Sequence, residues 1–170
     1  SEEIENVGGQ INAYTAREQT AFYVKVLKED VALGVDIVGD ILSHSTFEPA
    51  ELERERGVIL EEIRMVNDTP SDLAGDLFLQ RAYPRHPLGR PVQGTEATMT
   101  AMSREAVRRH YRAVLQPQNL VVTATGDTTL REVLDLVGPV LAGLKQGASR
   151  KEALPRFRPG VELFKRDHLE

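Results

Sequence analysis

The 170-residue sequence contains no cysteine and no tryptophan, and only four histidines. Without cysteine there can be neither a disulfide framework nor a thiolate metal site, and the redox compartment stays open. Long apolar runs are missing too: no stretch approaches the roughly 18 apolar residues that a bilayer crossing needs. Positive charge is not in excess. The 21 Lys and Arg face 26 Asp and Glu, and the formal net charge of −5 argues against a general nucleic-acid binder. His44, His86, His110 and His168 are far apart, so no His-Glu-x-x-His or His-x-x-Glu-His element occurs. What is present is a 41% apolar chain, long enough for one domain with a core of its own.

The chain opens on Ser1 without a charged-then-apolar leader. Near its other end, the strand-like run Val161-Glu162-Leu163-Phe164 is followed closely by Asp167-His168-Leu169-Glu170. Both ends therefore read as those of a fragment, with a piece expected upstream.

Residues 2–7 read as a helix tail stopped by Gly8-Gly9. Residues 10–15 alternate, with Ile11, Ala13 and Thr15 on one face, and residues 20–27 are aromatic and β-branched; the polar stretch 16–19 between them predicts an antiparallel hairpin. Asp30 can cap a helix carrying Val31, Val35, Val38 and Leu42. Pro49 opens a second helix to about Val66, and a third, capped by Thr69 or Ser71, reaches about Ala82. Residues 84–95 hold three Pro and two Gly and read as a loop. A Ser103-capped helix to Leu115, a strand at 119–125, a helix at 128–144 capped by Asp127 or Thr128, a linker at 145–160 and a strand at 161–166 complete the reading. The expected class is α+β, with helices packed on one face of a mainly antiparallel sheet. So few strands for so many helices suggest a single partial domain, lacking strands that lie upstream.

One helix carries more than packing information. On a wheel of the helix from Pro49, with Leu52 at zero, Ile59, Ile63 and Val66 fall within roughly 40°. Glu53, Arg54, Glu61 and Arg64 take the opposite side. Glu55 and Glu62 stack two turns apart at roughly 300° and 280°, inside or beside the apolar arc. A buried carboxylate must be paired or neutralised, so a cation, a His or Arg, or a metal is expected to meet them. Alternatively both lie on the rim, paired to Arg17, Arg54 or Arg56.

The stretches IENVGGQINAYTAREQTAFYVKVL (4–27), ILSHSTFEPAELERERGVILEEI (41–63) and HPLGRPVQGT (86–95) resemble the pitrilysin-type zinc peptidases, in particular their bacterial and mitochondrial processing-peptidase branch. The resemblance runs over nearly the whole chain. It implies a zinc endopeptidase in which a His-x-x-Glu-His helix supplies two ligands and a general base that activates a zinc-bound water. By the same pattern Glu62 is the distal zinc ligand and Glu55 an acidic residue supporting the metal site. The strand at 10–15 would be a sheet edge to which an extended, unfolded peptide adds, with Asn12, Ala13 and Tyr14 binding substrate and Asn12 and Ala13 nearest the scissile bond. Read without the resemblance, that strand is an ordinary hairpin strand with Asn12 facing water.

The His-x-x-Glu-His element is absent, so this chain would hold one zinc ligand of three. The resemblance thus implies zinc in the parent protein, with this polypeptide alone inactive and metal-free. A homologous second half or subunit would complete the parent's site. The alternative is a non-catalytic partner subunit or peptide-binding scaffold of the same family. A sheet edge uncovered by missing strands invites pairing, so a dimer or strand-swapped assembly is also expected. A cytoplasmic location is favoured by the resemblance to bacterial members. Gly89 to Thr95 mimics a phosphate loop but lacks its lysine and does not follow a strand, so nucleotide binding is rejected. His86 reads as a loop-packing residue. Arg104, Arg108, Arg109 and Arg112 with His110 read as a solvated basic face.

Overall fold

The computed structural model describes residues 2–145, 147 and 153–165. The expectations for His168 and for the last residues, 166–170, lie outside them. The described residues contain seven α-helices and one two-stranded antiparallel sheet, an α+β arrangement as the sequence predicts. They fall into two compact units.

The first unit comprises residues 1–14, 20–46 and 105–150. Its α1 (Glu2–Asn6) ends at Gly8, whose φ of +73° suits glycine. Gly9 then lets the chain pass close to the core. A Cβ there would stand 2.7 Å from a Val26 methyl and 2.8 Å from an Ile4 methyl. Ile4 itself is fully buried. β1 (Gln10–Thr15) and β2 (Thr20–Lys25) form the hairpin, closed by an Ala16 N–H to Gln19 carbonyl bond of 2.7 Å.

α2 (Val31–His44) packs on β2 and on α7 (Leu130–Ala142). The buried glycines Gly34 and Gly39 allow this, facing Val24 and Val140 respectively. α6 (Arg104–Val114) is tied to α2 by the Tyr111 hydroxyl, which donates to the Leu42 carbonyl. Burial raises the Tyr111 phenol above its ordinary value.

The second unit comprises residues 15–19, 47–104 and 151–170. α3 (Pro49–Asp68) packs against α4 (Pro70–Ala82) and against the short α5 (Glu96–Ala101). Pro49 and Pro70 each occupy the first helical turn, where a missing N–H costs nothing. Arg56, 14% exposed, donates to the carbonyls of Met99 and Met102 and pairs with Glu53, whose carboxyl it holds below the ordinary value. The loop after α4 is held by His86. Its Nδ1 accepts from Leu88 N–H at 3.2 Å, and its Nε2 lies 2.9 Å from the Ala153 carbonyl, a loop-packing role as expected.

Several local readings need correction. The runs at 119–125 and 161–166 form no strand among the described residues, although Leu120 is extended at φ −103° and ψ 137°. Val121 is 88% exposed and Val161 fully exposed. β-branched residues favour an extended backbone, but a strand also needs a neighbour in register, and the only sheet among the described residues is β1–β2. The expected alternation of β1 is also missing, for Ile11 alone is partly covered. α5 was not anticipated, being only six residues long; Thr95 and Thr98 nucleate it through a reciprocal capping box. α7 is capped by Thr129 instead of Asp127 or Thr128, and Asp30 makes no side-chain cap to α2.

Two tests follow from these contacts. Ile4→Ala should lower stability by about 2–4 kcal/mol in urea denaturation, since it empties a fully buried site. At the start of α7, the Thr129 backbone N–H and then its hydroxyl hold the Glu132 carboxyl below its ordinary value. That stabilisation is complete above the unfolded-state carboxylate range and is lost as pH falls through the lower folded value. Acid should therefore lower the amide protection factors across the first turn of α7, once the intrinsic pH dependence of exchange is divided out, and Glu132→Gln should remove this loss.

Candidate metal-ligand and peptide-binding residues

The wheel places the packed side of α3 correctly. Ile63 is buried, and Leu52, Arg56, Ile59 and Val66 are partly covered. It puts the two carboxylates beside that side and leaves their exposure undecided. Glu55 and Glu62 are exposed, and among the described residues neither has a hydrogen-bond or ion-pair partner. The expected rim pairing fails as well: Arg54 pairs with Glu51, Arg56 with Glu53, and Arg17 with Asp76 of α4. Water solvates both carboxylates, so the desolvation argument for an obligatory partner does not apply to them.

The surface they occupy is nevertheless not an ordinary wet helix face. Val58 and Met65 share this arc and are 48% and 68% exposed. Acidic and apolar side chains thus alternate along one uncovered stripe of α3, with Glu55 and Glu62 about 10 Å apart along the helix axis. The true solvent face is on the other side, where Arg64 pairs with both Glu61 and Glu96.

β1 carries the second set of candidates. Asn12, Ala13 and Tyr14 are all exposed. The Ala13 N–H donates to Asn12 Oδ1 at 2.8 Å, so a strand amide is satisfied by its neighbour's side chain. Tyr14 packs diagonally on Tyr23 of β2, with ring centroids 6.5 Å apart. The structure thus groups Glu55 with Glu62 on one helix in the second unit, and Asn12, Ala13 and Tyr14 on one strand in the first. No group of three His, Asp or Glu side chains able to hold a metal occurs among the described residues. The donors described therefore do not by themselves fit a zinc site. Arg17, expected only as a partner for the helix carboxylates, instead anchors the hairpin turn to Asp76. No local sequence signal joins residues so far apart in the chain.

Residues 1–96 match the family described as Insulinase (Peptidase family M16), and residues 101–168 match the Peptidase M16 inactive domain. The chain belongs to peptidase family M16. An uncharacterised zinc protease of Streptomyces coelicolor is 39% identical over 159 residues, covering 94% of this chain and 34% of the relative. The β subunit of the mitochondrial-processing peptidase of Blastocladiella emersonii is 35% identical over 156 residues, covering 91% of this chain and 34% of that protein. Among solved structures, a protease from Helicobacter pylori superposes with a TM-score of 0.81 at 20% identity, over 92% of this chain and 38% of that one. That likeness concerns the fold. The M16 chain thus spans about a third of the length of these relatives. No described helix is long and apolar enough to cross a membrane.

A direct check concerns the donor count. After equilibration with zinc and dialysis, the 170-residue chain should retain well under one equivalent by elemental analysis. One tightly held equivalent would mean that the ligand assignment is wrong.

Proposed function

We propose that this segment is part of a zinc-dependent endopeptidase that cleaves extended peptides, and that its contribution is one metal-binding carboxylate and one peptide-accepting strand. Glu62 is the ligand and Glu55 supports it. The remaining ligands come from elsewhere in a longer polypeptide or from a partner chain, and the 170 residues alone are inactive. The observation that carries this reading is the uncovered stripe of α3. It presents Glu62 without a protein partner, flanked by apolar side chains that an ordinary solvated face would lack. An exposed apolar surface rimmed by charge marks a place where something else binds. Family membership and the zinc-protease names of relatives support the same assignment.

β1 suits the second role. Backbone pairing at a sheet edge selects unfolded segments and is indifferent to most side chains. Asn12 Oδ1 occupies the Ala13 amide, a bond an incoming strand could replace. This also blunts an edge that would otherwise promote aggregation.

A second reading is a non-catalytic subunit or peptide-binding scaffold of the same family. The match of residues 101–168 to the inactive domain favours it. The two readings separate in a polypeptide of the relatives' full length carrying this segment. Under the endopeptidase reading, Glu62→Ala should abolish retained zinc and reduce cleavage of an unfolded peptide to background. Glu55→Gln should lower metal affinity by about ten- to hundredfold, as loss of an outer support does. Full zinc occupancy and activity in Glu62→Ala would contradict the ligand role. A full-length protein that binds peptide but neither zinc nor cleaves would establish the scaffold.

A further inference from the structure

On α3 and α7 the arginines come with acids. Arg54, Arg56, Arg64 and Arg131 each pair with a Glu or Asp three or four residues away on the same helix. α6 breaks this pattern. Among the described residues, the side chains of Arg108, Arg109 and Arg112 make no hydrogen bond and no ion pair. Arg109 and Arg112 are exposed, and Arg108 is partly covered.

The helical period gathers the three. At about 100° per residue, Arg108, Arg112 and Arg109 fall within about 100° of one another, to one side of the Tyr111 that ties α6 to Leu42. Glu105 shares this arc but stands in the first turn, where the helix dipole suits an acid. Arg112 gains in the same way from the last turn. Arg108 and Arg109 have no such local reason. Like charges three or four residues apart oppose helix formation, so the cluster weakens α6.

The sign of the arc selects its partner. An arginine fork matches carboxylate or phosphate oxygens. The net charge of −5 works against long polyanions and anionic membranes, whose attraction is summed over a wide basic surface. A short acidic peptide needs only the arc. Arg108 and Arg112 stand about 6 Å apart along the helix axis. Alternate residues of an extended peptide are about 6.6 Å apart, which lets neighbouring carboxylates on one peptide face reach both.

We propose that Arg108, Arg109 and Arg112 form a docking surface for an extended acidic peptide segment with Glu or Asp at alternate positions. The surface uses none of the residues given metal-binding or strand-accepting roles above, and it does not depend on those roles.

The test uses the whole chain and a fluorescein-labelled peptide with Glu at every second position, followed by fluorescence anisotropy. The same peptide with Lys in place of Glu is the control. The Glu peptide should bind, and more weakly as salt rises, while the Lys peptide should not. Arg109→Gln and Arg112→Gln should each weaken binding about two- to fivefold. Adding Arg108→Gln to both should reduce it to the level of the Lys control. Arg131→Gln removes the same charge from α7 and should leave binding unchanged. Arg109→Gln should melt no lower than the unsubstituted chain, so that its weaker binding is not a loss of fold. Binding that survives the triple variant, or an equal loss in Arg131→Gln, would overturn the proposal. So would failure of the Glu peptide to bind, or tighter binding of a single-stranded RNA oligonucleotide or of phosphatidylserine vesicles through the same arginines.

Discussion

The uneven covering of α3 governs most of what this chain can do. A helix of this length can bury one side, and here α4, α5 and the Arg56 bonds to Met99 and Met102 take the side of Leu52, Ile59, Ile63 and Val66. Salt bridges through Arg54 and Arg64 occupy much of the polar side. Between them remains a strip with Glu55, Val58, Glu62 and Met65. Neither packing nor ion pairing claims it. A carboxylate left in that position can be used by a metal without first breaking a protein contact.

The Glu62 carboxylate and the Ala13 amide share one physical property: each is held on regular secondary structure, and no other element bonds it. Rigid elements place donors more accurately than loops do. On α3 the group is a carboxylate; on β1 it is a backbone amide covered only by an adjacent asparagine. In the proposed function, metal ligation would draw on the first and strand addition on the second. Membership of family M16 gives both a common purpose in the proposed endopeptidase.

The helices were legible in the sequence because their punctuation is local. Pro49 and Pro70 mark starts, and Gly8 marks a stop that its positive φ confirms. The hairpin was legible for the same reason. Residues 119–125 and 161–166 show the opposite case: their β-branched and aromatic content is real, yet pairing depends on distant partners that periodicity cannot reveal. At the candidate site, spacing correctly put Glu55 and Glu62 on one stripe beside the packed arc. It could not decide their exposure, since only about 40° on a wheel separates partly covered Val66 from exposed Glu62, and which of them is covered depends on the neighbouring helices. The Arg17–Asp76 pair, 59 residues apart, had no local signature at all.

The most direct test of the central claim is the position of the Glu62 carboxylate relative to zinc. A zinc-edge anomalous crystal structure of a full-length polypeptide containing this segment would measure it. The account predicts a Glu62 oxygen bound to the metal at about 2.0–2.2 Å, with Glu55 close by but not ligating. A fully coordinated zinc with Glu62 still facing solvent would contradict it.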